Sequence, residues 1–311
     1  MDDRSNPQPR TFAERLQASR FVLTVEVAPP VSCDAQDLLR KAVPLGALAD
    51  AVNVTDGAGA RAHMSALAAA VILMGAGIEP ILQITCRDKN RIALQSELMG
   101  AAALGVGNLL LLTGDDPKAG DQPDTKPVFD IDSKTLIETA RRLRDQGELP
   151  TGRKVAGDAA FCIGATDTPI DPPPGWQPNS LRAKLAAGAR FVQTQFCMDS
   201  GVVRRYISAL ADAGISKEIG ILVGVNPLRS AKSAAWMKSN LFGTIIPDAF
   251  IARMEKSQDP VREGIRICVE LIEELATIPG VAGAHIMAPG NNAAIPEVIA
   301  EVRDRVQKAA V

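Results

Sequence analysis

A single carboxylate, Glu26, interrupts the apolar run Phe21–Pro30, whose sequence FVLTVEVAPP otherwise predicts a buried strand. Removing an unpaired carboxylate from water is so costly that such a group is paired, neutralised, or placed at a cavity where chemistry uses it. The two prolines end the strand because neither can donate a ladder hydrogen bond. Glu26 is therefore predicted at the carboxyl end of a first strand, either as an acid–base group or as the partner of a buried cation.

Polar residues recur where the later apolar runs end. With the glycines and alanines that stand among them, the residues at these ends are Thr55, Asp56, Gly57, Ala58, Gln83, Thr85, Arg87, Asp88, Thr113, Gly114, Asp115, Gly164, Ala165, Thr166, Thr194, Gln195, Asn226 and His285. Each of them alone has a simple reading as a helix cap, a turn residue or, for His285, a hydrogen-bonded core histidine. Their recurrence at one end of many strands instead predicts a shared binding site.

Eight apolar runs alternate with segments in which apolar residues recur every three or four positions. The runs are Phe21–Ala28, Ala51–Thr55, Pro80–Cys86, Asn108–Thr113, Ala159–Ala165, Phe191–Cys197, Ile219–Val225 and Ala282–Met287. Near-continuous apolar runs indicate strands covered on both faces, and the alternation indicates parallel pairing through right-handed crossovers. The sequence therefore predicts an α/β fold, a (β/α)8 TIM barrel. An open doubly wound sheet also alternates, but EVAPP stands where its glycine-rich turn belongs.

The predicted domain organisation is simple. Residues 1–19 form an N-terminal lead and a short helix, and residues 20–311 form one barrel domain with extra helices after the seventh strand. Two irregular insertions, Asp115–Asp132 and Thr166–Pro178, follow strand ends, on the face where barrel loops build active sites. Trp176 in the second insertion is predicted either to cover a ligand or to anchor its own loop.

Composition narrows the class of ligand. The formal net charge is -2, so nothing favours nucleic acid or an anionic membrane, and a small molecule is the better prediction. Only two histidines are present, His63 at the start of a predicted helix and His285, so no metal site is predicted. The five unpaired, widely spaced cysteines predict buried reduced thiols. With a polar N-terminus and no long apolar segment, they favour a cytoplasmic protein.

The segments TVEVAPP, VNVTDGAGA, LQITCRDKN, LLLLTGDDP and KLAAGARFVQTQFCMD occur in an order and spacing that resembles the methylenetetrahydrofolate reductase family. The resemblance extends over roughly residues 20 to 300 and is most specific in the last segment and in the TGD turn. It implies a (β/α)8 barrel that transfers a hydride from NADH or NADPH, usually through bound FAD, to 5,10-methylenetetrahydrofolate. The product implied is 5-methyltetrahydrofolate, an intermediate of one-carbon metabolism.

The resemblance also implies roles for single residues. Glu26 matches the acid that protonates the folate N10, and Asp115 matches the carboxylate that stabilises the cationic intermediate. Gln195 matches a hydrogen-bond partner of pterin and nicotinamide, and Leu228 falls among the substrate contacts. The implied cofactor contacts are Thr55, Asp56, Ala58, Gln83, Thr113, Gly114, Ala165 and Lys184. The chemistry agrees with these roles, because ring opening needs one protonated carboxyl and another that stays ionised.

Three positions depart from the family pattern at implied flavin contacts. Asp56 stands where a tyrosine is usual, Gln83 where a histidine is frequent, and Thr113 where an arginine is frequent. FAD is still expected, but direct hydride transfer from nicotinamide to folate remains an alternative. A member of the family that oxidises methyltetrahydrofolate and a folate-binding barrel without turnover also remain open. The sequence does not decide between NADH and NADPH, or whether the chain forms a homo-oligomer.

Overall fold

The computed structural model describes residues 11–215 and 219–309, so most of the predicted N-terminal lead lies outside the described residues. Eight parallel strands close into a barrel in which each strand pairs with its neighbours in the sequence and β8 pairs with β1. The strands are β1 Val22–Val27, β2 Ala51–Val54, β3 Pro80–Thr85, β4 Asn108–Leu112, β5 Cys162–Asp167, β6 Phe191–Phe196, β7 Gly220–Val225 and β8 Val281–Ile286. The predicted (β/α)8 barrel is confirmed.

Helices surround the barrel and cover the apolar outer face of its strands. They are α1 Phe12–Gln17, α2 Ala35–Gly46, α3 Ala66–Gly75, α4 Arg91–Ala103, α5 Ser133–Gln146, α6 Asn179–Ala187, α7 Ser200–Asp212, α8 Ala231–Asn240, α9 Asp248–Glu255, α10 Pro260–Ala276 and α11 Ile295–Ala309. Aspartate, asparagine or serine side chains accept N–H bonds at the start of α2, α4, α5, α7, α8 and α10, which fixes where these helices begin. Three helices, α8 to α10, separate β7 from β8, as the sequence predicted.

Helix α1 closes the N-terminal end of the barrel. Its first residue, Phe12, is fully buried and packs edge-on against Phe191 of β6, with ring centroids 5.1 Å apart. The other buried members of this small apolar cluster inside the barrel are Val22, Ala51, Ile81, Leu110 and Leu222. The interior of the barrel is therefore filled by side chains at this end, as in other packed barrels.

Two details differ from the sequence predictions. His63 precedes α3 by three residues and does not begin it, because Gly57 and Gly59 adopt left-handed backbone angles around a short 3-10 turn at Ala58–Ala60. Strand β5 begins and ends later than predicted, at Cys162–Asp167. The end of β5 is therefore a polar segment, with Thr166 and Asp167 inside the strand.

The cysteines are all free thiols, and most of them are shielded. Burial raises the pKa of Cys86 to about 11 and that of Cys197 to about 12, so both stay protonated at neutral pH. Cys268 is also buried, in α10, and Cys162 is half-buried. Cys33 is exposed in the loop after β1, which differs from the prediction of buried thiols. Within the described ranges, no helix is long and apolar enough to cross a membrane.

Candidate active site

A cavity of about 550 Å³ opens at the carboxyl ends of the strands. Ten of the twelve side chains predicted for the site line it: Glu26, Thr55, Asp56, Ala58, Gln83, Thr113, Gly114, Asp115, Lys184 and Gln195. The other two, Ala165 and Leu228, are buried in the core that surrounds the barrel. Parallel strands bring their carboxyl ends to one face, which explains why residues so distant in sequence converge here.

Glu26 occupies the wall of this cavity at the end of β1. Its side chain is 27% exposed, and its Oε2 accepts a hydrogen bond of 3.2 Å from Nε2 of Gln83. Nε2 of His285, on the neighbouring strand β8, lies 3.7 Å from the same oxygen. No arginine or lysine is recorded in contact with Glu26 within the described part of the chain. The recorded neighbours of Glu26 are thus a neutral amide and an imidazole.

A buried polar layer lies directly beneath Glu26, and the sequence analysis missed most of it. Thr24, Asn53, Gln193 and His285 are each at most 2% exposed and point into the barrel. Nδ1 of His285 lies 2.9 Å from Oγ1 of Thr24, and Gln193 bonds to both Thr24 and Asn53. Strand periodicity was the signal that could have found them, since Thr24 and Gln193 stand two residues before Glu26 and Gln195.

Strand β6 reaches the cavity through a β-bulge. Its register with β7 shifts between Gln193 and Phe196, so one residue of β6 has no partner there. Gly224 of β7 fits opposite this bulge because a Cβ at that position would lie 2.4 Å from the Thr194 carbonyl oxygen. The Thr194 hydroxyl accepts the Gly224 N–H at 2.9 Å, which holds the bulge in place. Bulges of this kind re-aim side chains, and here the strand presents Gln195 to the cavity.

Asp56 forms hydrogen bonds and an ion pair with residues at and just after the end of β3. Its Oδ2 accepts bonds from the Thr85 N–H at 2.9 Å and the Thr85 hydroxyl at 3.1 Å, and it pairs with Lys89 at 2.9 Å. Lys89 also pairs with Glu97 at 2.7 Å. Burial alone lowers the pKa of Lys89, but the two carboxylates outweigh it and raise the value. The aspartate that replaces the usual tyrosine is thus part of a local ion-pair network.

Asp115 stands at the rim of the cavity, in the loop after β4. It is exposed, and its Oδ2 accepts a bond of 3.2 Å from the N–H of Gly59. Arg87 lies buried between the two loops, where it donates to Asp88 at 2.7 Å and to the Gly57 carbonyl oxygen at 3.1 Å. The bond to Asp88 raises the pKa of Arg87, although burial opposes it. Asp115 therefore faces solvent and the cavity beside a permanent cation.

Lys184 forms the opposite wall with Asp167, a residue that sequence reasoning did not select. Nζ of Lys184 donates to the Thr166 carbonyl oxygen, and burial lowers the lysine pKa, which nearby Asp167 offsets only in part. Asp167 accepts a bond of 2.5 Å from the Tyr206 hydroxyl. The alternation of β5 could have indicated Asp167, had the end of that strand been predicted correctly.

Trp176 does not line the cavity. Its ring packs against that of Tyr206, with centroids 5.8 Å apart and planes inclined by 52°. Tyr206 itself is 1% exposed, and burial raises the pKa of its hydroxyl. Of the two predictions for Trp176, the structure matches the one in which the side chain anchors the loop after β5.

The sequence of this chain matches a known family model. Residues 11–303 match the family model for methylenetetrahydrofolate reductase. This chain belongs to the methylenetetrahydrofolate reductase family. A probable methylenetetrahydrofolate reductase (NADPH) of Caenorhabditis elegans is 24% identical over 239 residues, which cover 74% of this chain and 33% of the relative. Methylenetetrahydrofolate reductase 2 of Saccharomyces cerevisiae is 27% identical over 246 residues, which cover 74% of this chain and 37% of the relative. The chain spans only about a third of the length of these methylenetetrahydrofolate reductases.

Solved structures share the fold at low sequence identity. An uncharacterized protein from Clostridium thermocellum that binds two copies of 5-methyl-5,6,7,8-tetrahydrofolic acid superposes with a TM-score of 0.61 and 12% identity, covering 93% of this chain and 98% of that protein. Riboflavin lyase, solved with modified FMN and riboflavin, gives a TM-score of 0.59 and 9% identity, covering 94% and 92% of the two chains. At these identities the likeness shows a common barrel architecture for this member of the methylenetetrahydrofolate reductase family.

The cavity of this family member combines three chemical capacities. A half-buried carboxyl, Glu26, is placed to give or take a proton, and an exposed carboxylate, Asp115, is placed to stabilise positive charge. Hydroxyl and amide side chains such as Gln83 and Gln195 supply neutral hydrogen bonds for a flat heterocycle. Within the described ranges, no group of three metal-ligating side chains is found.

Proposed function

We propose that this protein interconverts 5,10-methylenetetrahydrofolate and 5-methyltetrahydrofolate, with NADH or NADPH as the hydride donor. The observation that carries this proposal is that Glu26 and Asp115 line one cavity in two different environments, one partly buried and one exposed to solvent. Membership of the methylenetetrahydrofolate reductase family supports it. The C. thermocellum barrel, which binds 5-methyltetrahydrofolic acid, supports a folate ligand in this kind of fold.

In the proposed reaction, Glu26 gives its proton to N10 of the folate. The bond between N10 and the methylene carbon then breaks, its electron pair stays on N10, and the methylene carbon becomes an iminium with N5. Asp115 stabilises the positive charge that spreads over the pterin, and Gln195 hydrogen-bonds to the pterin edge. Hydride addition to the methylene carbon completes the methyl group. In the reverse direction Glu26 receives the proton, so the same residues serve both directions.

The cavity offers groups for the phosphates and ribose of FAD, so we propose FAD as the cofactor. Lys184 uses one N–H bond on Thr166 and keeps two more donors for an anion, while Ala58 and Gly59 of the 3-10 turn line the same cavity. Thr55, Gln83, Thr113 and Gly114 line the space between them. FAD held by these residues would supply a hydride carrier between the nicotinamide and the folate.

Direct hydride transfer from the nicotinamide to the folate is a second candidate, and the environment of Asp56 favours it. A ring-stacking tyrosine is usual at this position, whereas Asp56 is held by Thr85 and Lys89. Among the described residues, no phenylalanine, tyrosine or tryptophan lines the cavity, so a flavin ring would find mainly polar, charged and aliphatic side chains instead. In this version Glu26 and Asp115 keep their roles, and only the carrier of the hydride changes.

The absorption spectrum of the freshly purified protein under anaerobic conditions tests both candidates. We expect a flavin spectrum that bleaches when 5-methyltetrahydrofolate is added. A flavin spectrum that the folate does not change would contradict the proposed substrate. A colourless protein that reduces methylenetetrahydrofolate with NADH or NADPH, without added FAD, would establish the second candidate. A colourless protein with no turnover, with or without FAD, would contradict the proposed function.

Replacing Lys184 with Met is expected to weaken FAD binding by at least about tenfold, since one charge-assisted bond to a phosphate contributes about 1.5–3 kcal/mol. Burial lowers the pKa of Lys184, and a bound phosphate favours its charged form, so the native protein should lose affinity for FAD as alkaline pH deprotonates the lysine. Fluorescence titration of FAD across this pH range is the measurement.

Lys118 in the loop after β4 does not line the cavity, so Lys118→Met is a matched control. An equally steep loss of affinity with pH in Lys184→Met would contradict the assignment.

A further inference from the structure

We propose that the amide pair Asn53–Gln193 sets the tautomer of His285 and, through it, the oxygen of Glu26 that carries the proton. The two amides are positioning residues, since the structure places both beneath the cavity wall that Glu26 occupies. The part that concerns Glu26 rests on the proposed function, whereas the tautomer of His285 does not.

The two amides bind one another across the barrel interior, from β2 to β6. Nδ2 of Asn53 donates to Oε1 of Gln193 at 2.5 Å, and Nε2 of Gln193 donates to Oδ1 of Asn53 at 2.9 Å. Both side chains are at most 2% exposed, and Gln193 also lies against the cavity. A reciprocal pair of this kind fixes which end of each amide is the donor, because turning one amide alone would set oxygen against oxygen.

The second hydrogen of the Gln193 amide fixes the Thr24 hydroxyl. Nε2 of Gln193 donates to Oγ1 of Thr24 at 3.2 Å, so the hydroxyl oxygen is used as an acceptor on that side. The hydroxyl hydrogen is then free to donate to Nδ1 of His285, which lies 2.9 Å away. With this hydrogen given to Nδ1, the neutral ring has a bare Nδ1 and a proton on Nε2.

The Nε2 proton of His285 is directed towards Glu26. Nε2 lies 3.7 Å from Oε2 of Glu26, and Nε2 of Gln83 donates to that same oxygen at 3.2 Å. Gln83 supplies the one hydrogen bond to Oε2, and the N–H of His285 acts on the same oxygen electrostatically, across a distance longer than a hydrogen bond. Together they favour Oε2 as the carbonyl oxygen of the protonated carboxyl. Oε1 is then the oxygen that carries the acidic proton. The chain of hydrogen bonds that begins at the Asn53–Gln193 pair determines this choice.

The opposite arrangement is also self-consistent, which makes the inference testable. If both amides turned over together, Gln193 would accept from Thr24, and Thr24 would accept from Nδ1–H of His285. The imidazole would then face Glu26 with a bare nitrogen, and the carboxyl proton would lie on Oε2, between the two groups. The two arrangements predict opposite tautomers for one histidine.

Nitrogen-15 NMR of the protein labelled in histidine separates the two arrangements. The chain has only His63 and His285, so the spectrum contains two rings, and His63→Gln assigns them. In the ligand-free protein at alkaline pH we expect the Nε2–H tautomer for His285. A predominant Nδ1–H tautomer would overturn the proposal. No folate or cofactor is present in this measurement, so its outcome is independent of the proposed function.

A double variant tests the cause. Asn53→Val with Gln193→Met removes both amides together, so that neither leaves an unpaired partner in the core. We expect the His285 ring to become a mixture of tautomers, and kcat for folate reduction to fall about tenfold and to change its pH profile, with KM for NADH unchanged. Asn108→Ala is the matched control, because Asn108 is a buried barrel amide that bonds only to Glu79 and Pro80. An unchanged tautomer in the folded double variant would overturn the proposal, even if activity were lost.

Discussion

Replacing Glu26 with Gln is expected to lower the turnover of methylenetetrahydrofolate by about 100-fold or more while the barrel stays folded. General acid catalysis contributes about 10²- to 10⁴-fold, and an amide of the same shape has no proton of comparable acidity to give. The variant keeps an acceptor oxygen for Gln83, whose bond to Glu26 is 3.2 Å long. The measurement is kcat for folate reduction together with the thermal unfolding midpoint.

The control for this variant is a second exchange of the same type. Glu148 lies beyond the end of α5, where it pairs with Arg142 at 2.8 Å and does not line the cavity. Glu148→Gln should therefore leave turnover unchanged within about twofold, since exposed ion pairs contribute about 0–1 kcal/mol and touch no substrate. A near-native rate in Glu26→Gln would remove Glu26 from the acid role, and with it the mechanism proposed above.

Replacing Asp115 with Asn is expected to reduce folate turnover by at least about tenfold, with little change in the affinity for NADH. The carboxylate is proposed to stabilise charge that develops only when the folate ring opens, and a factor of ten corresponds to about 1.4 kcal/mol of lost stabilisation. The exchange retains an oxygen that can accept the Gly59 N–H bond of 3.2 Å, so the loop is preserved. Steady-state folate kinetics and fluorescence titration with NADH provide the two quantities.

The adjacent aspartate is a close control for this experiment. Asp116 accepts the Lys118 N–H at 2.9 Å and caps the short turn at Pro117–Ala119, outside the cavity lining. Asp116→Asn should change neither folate turnover nor NADH affinity, because asparagine caps such turns about as well as aspartate. Equal losses of folate turnover and NADH affinity in Asp115→Asn would indicate that Asp115 supports the loop and has no selective part in the folate step.

The barrel was predictable because its strands are covered on both faces and read as continuous apolar runs. A run such as LLLL in β4 by itself indicates a strand that is buried on both faces. The helices between such runs indicate that the strands pair in parallel. The rim residues were predictable for the same reason, since strand ends in a barrel converge. Glu26, Asp115 and Lys184 line one cavity although up to 158 positions separate them.

The interior hydrogen bonds were not predictable from the sequence. Asn53 and Gln193 lie 140 positions apart and meet only because β2 and β6 face one another across a closed barrel. The period of two places each of them inside, but no local pattern tells which polar side chain on another strand will meet it. The same holds for the ion pair of Asp56 with Lys89, whose partner stands in a loop of irregular conformation.

The packing of Phe12 against Phe191 has a consequence for how ligands arrive and leave. Because α1 closes the N-terminal end of the barrel, the described residues leave the cavity open only at the carboxyl ends of the strands. A product molecule must leave through this opening before the next substrate can bind at the bottom of the cavity. In the proposed reaction, substrate entry and product release therefore share one opening.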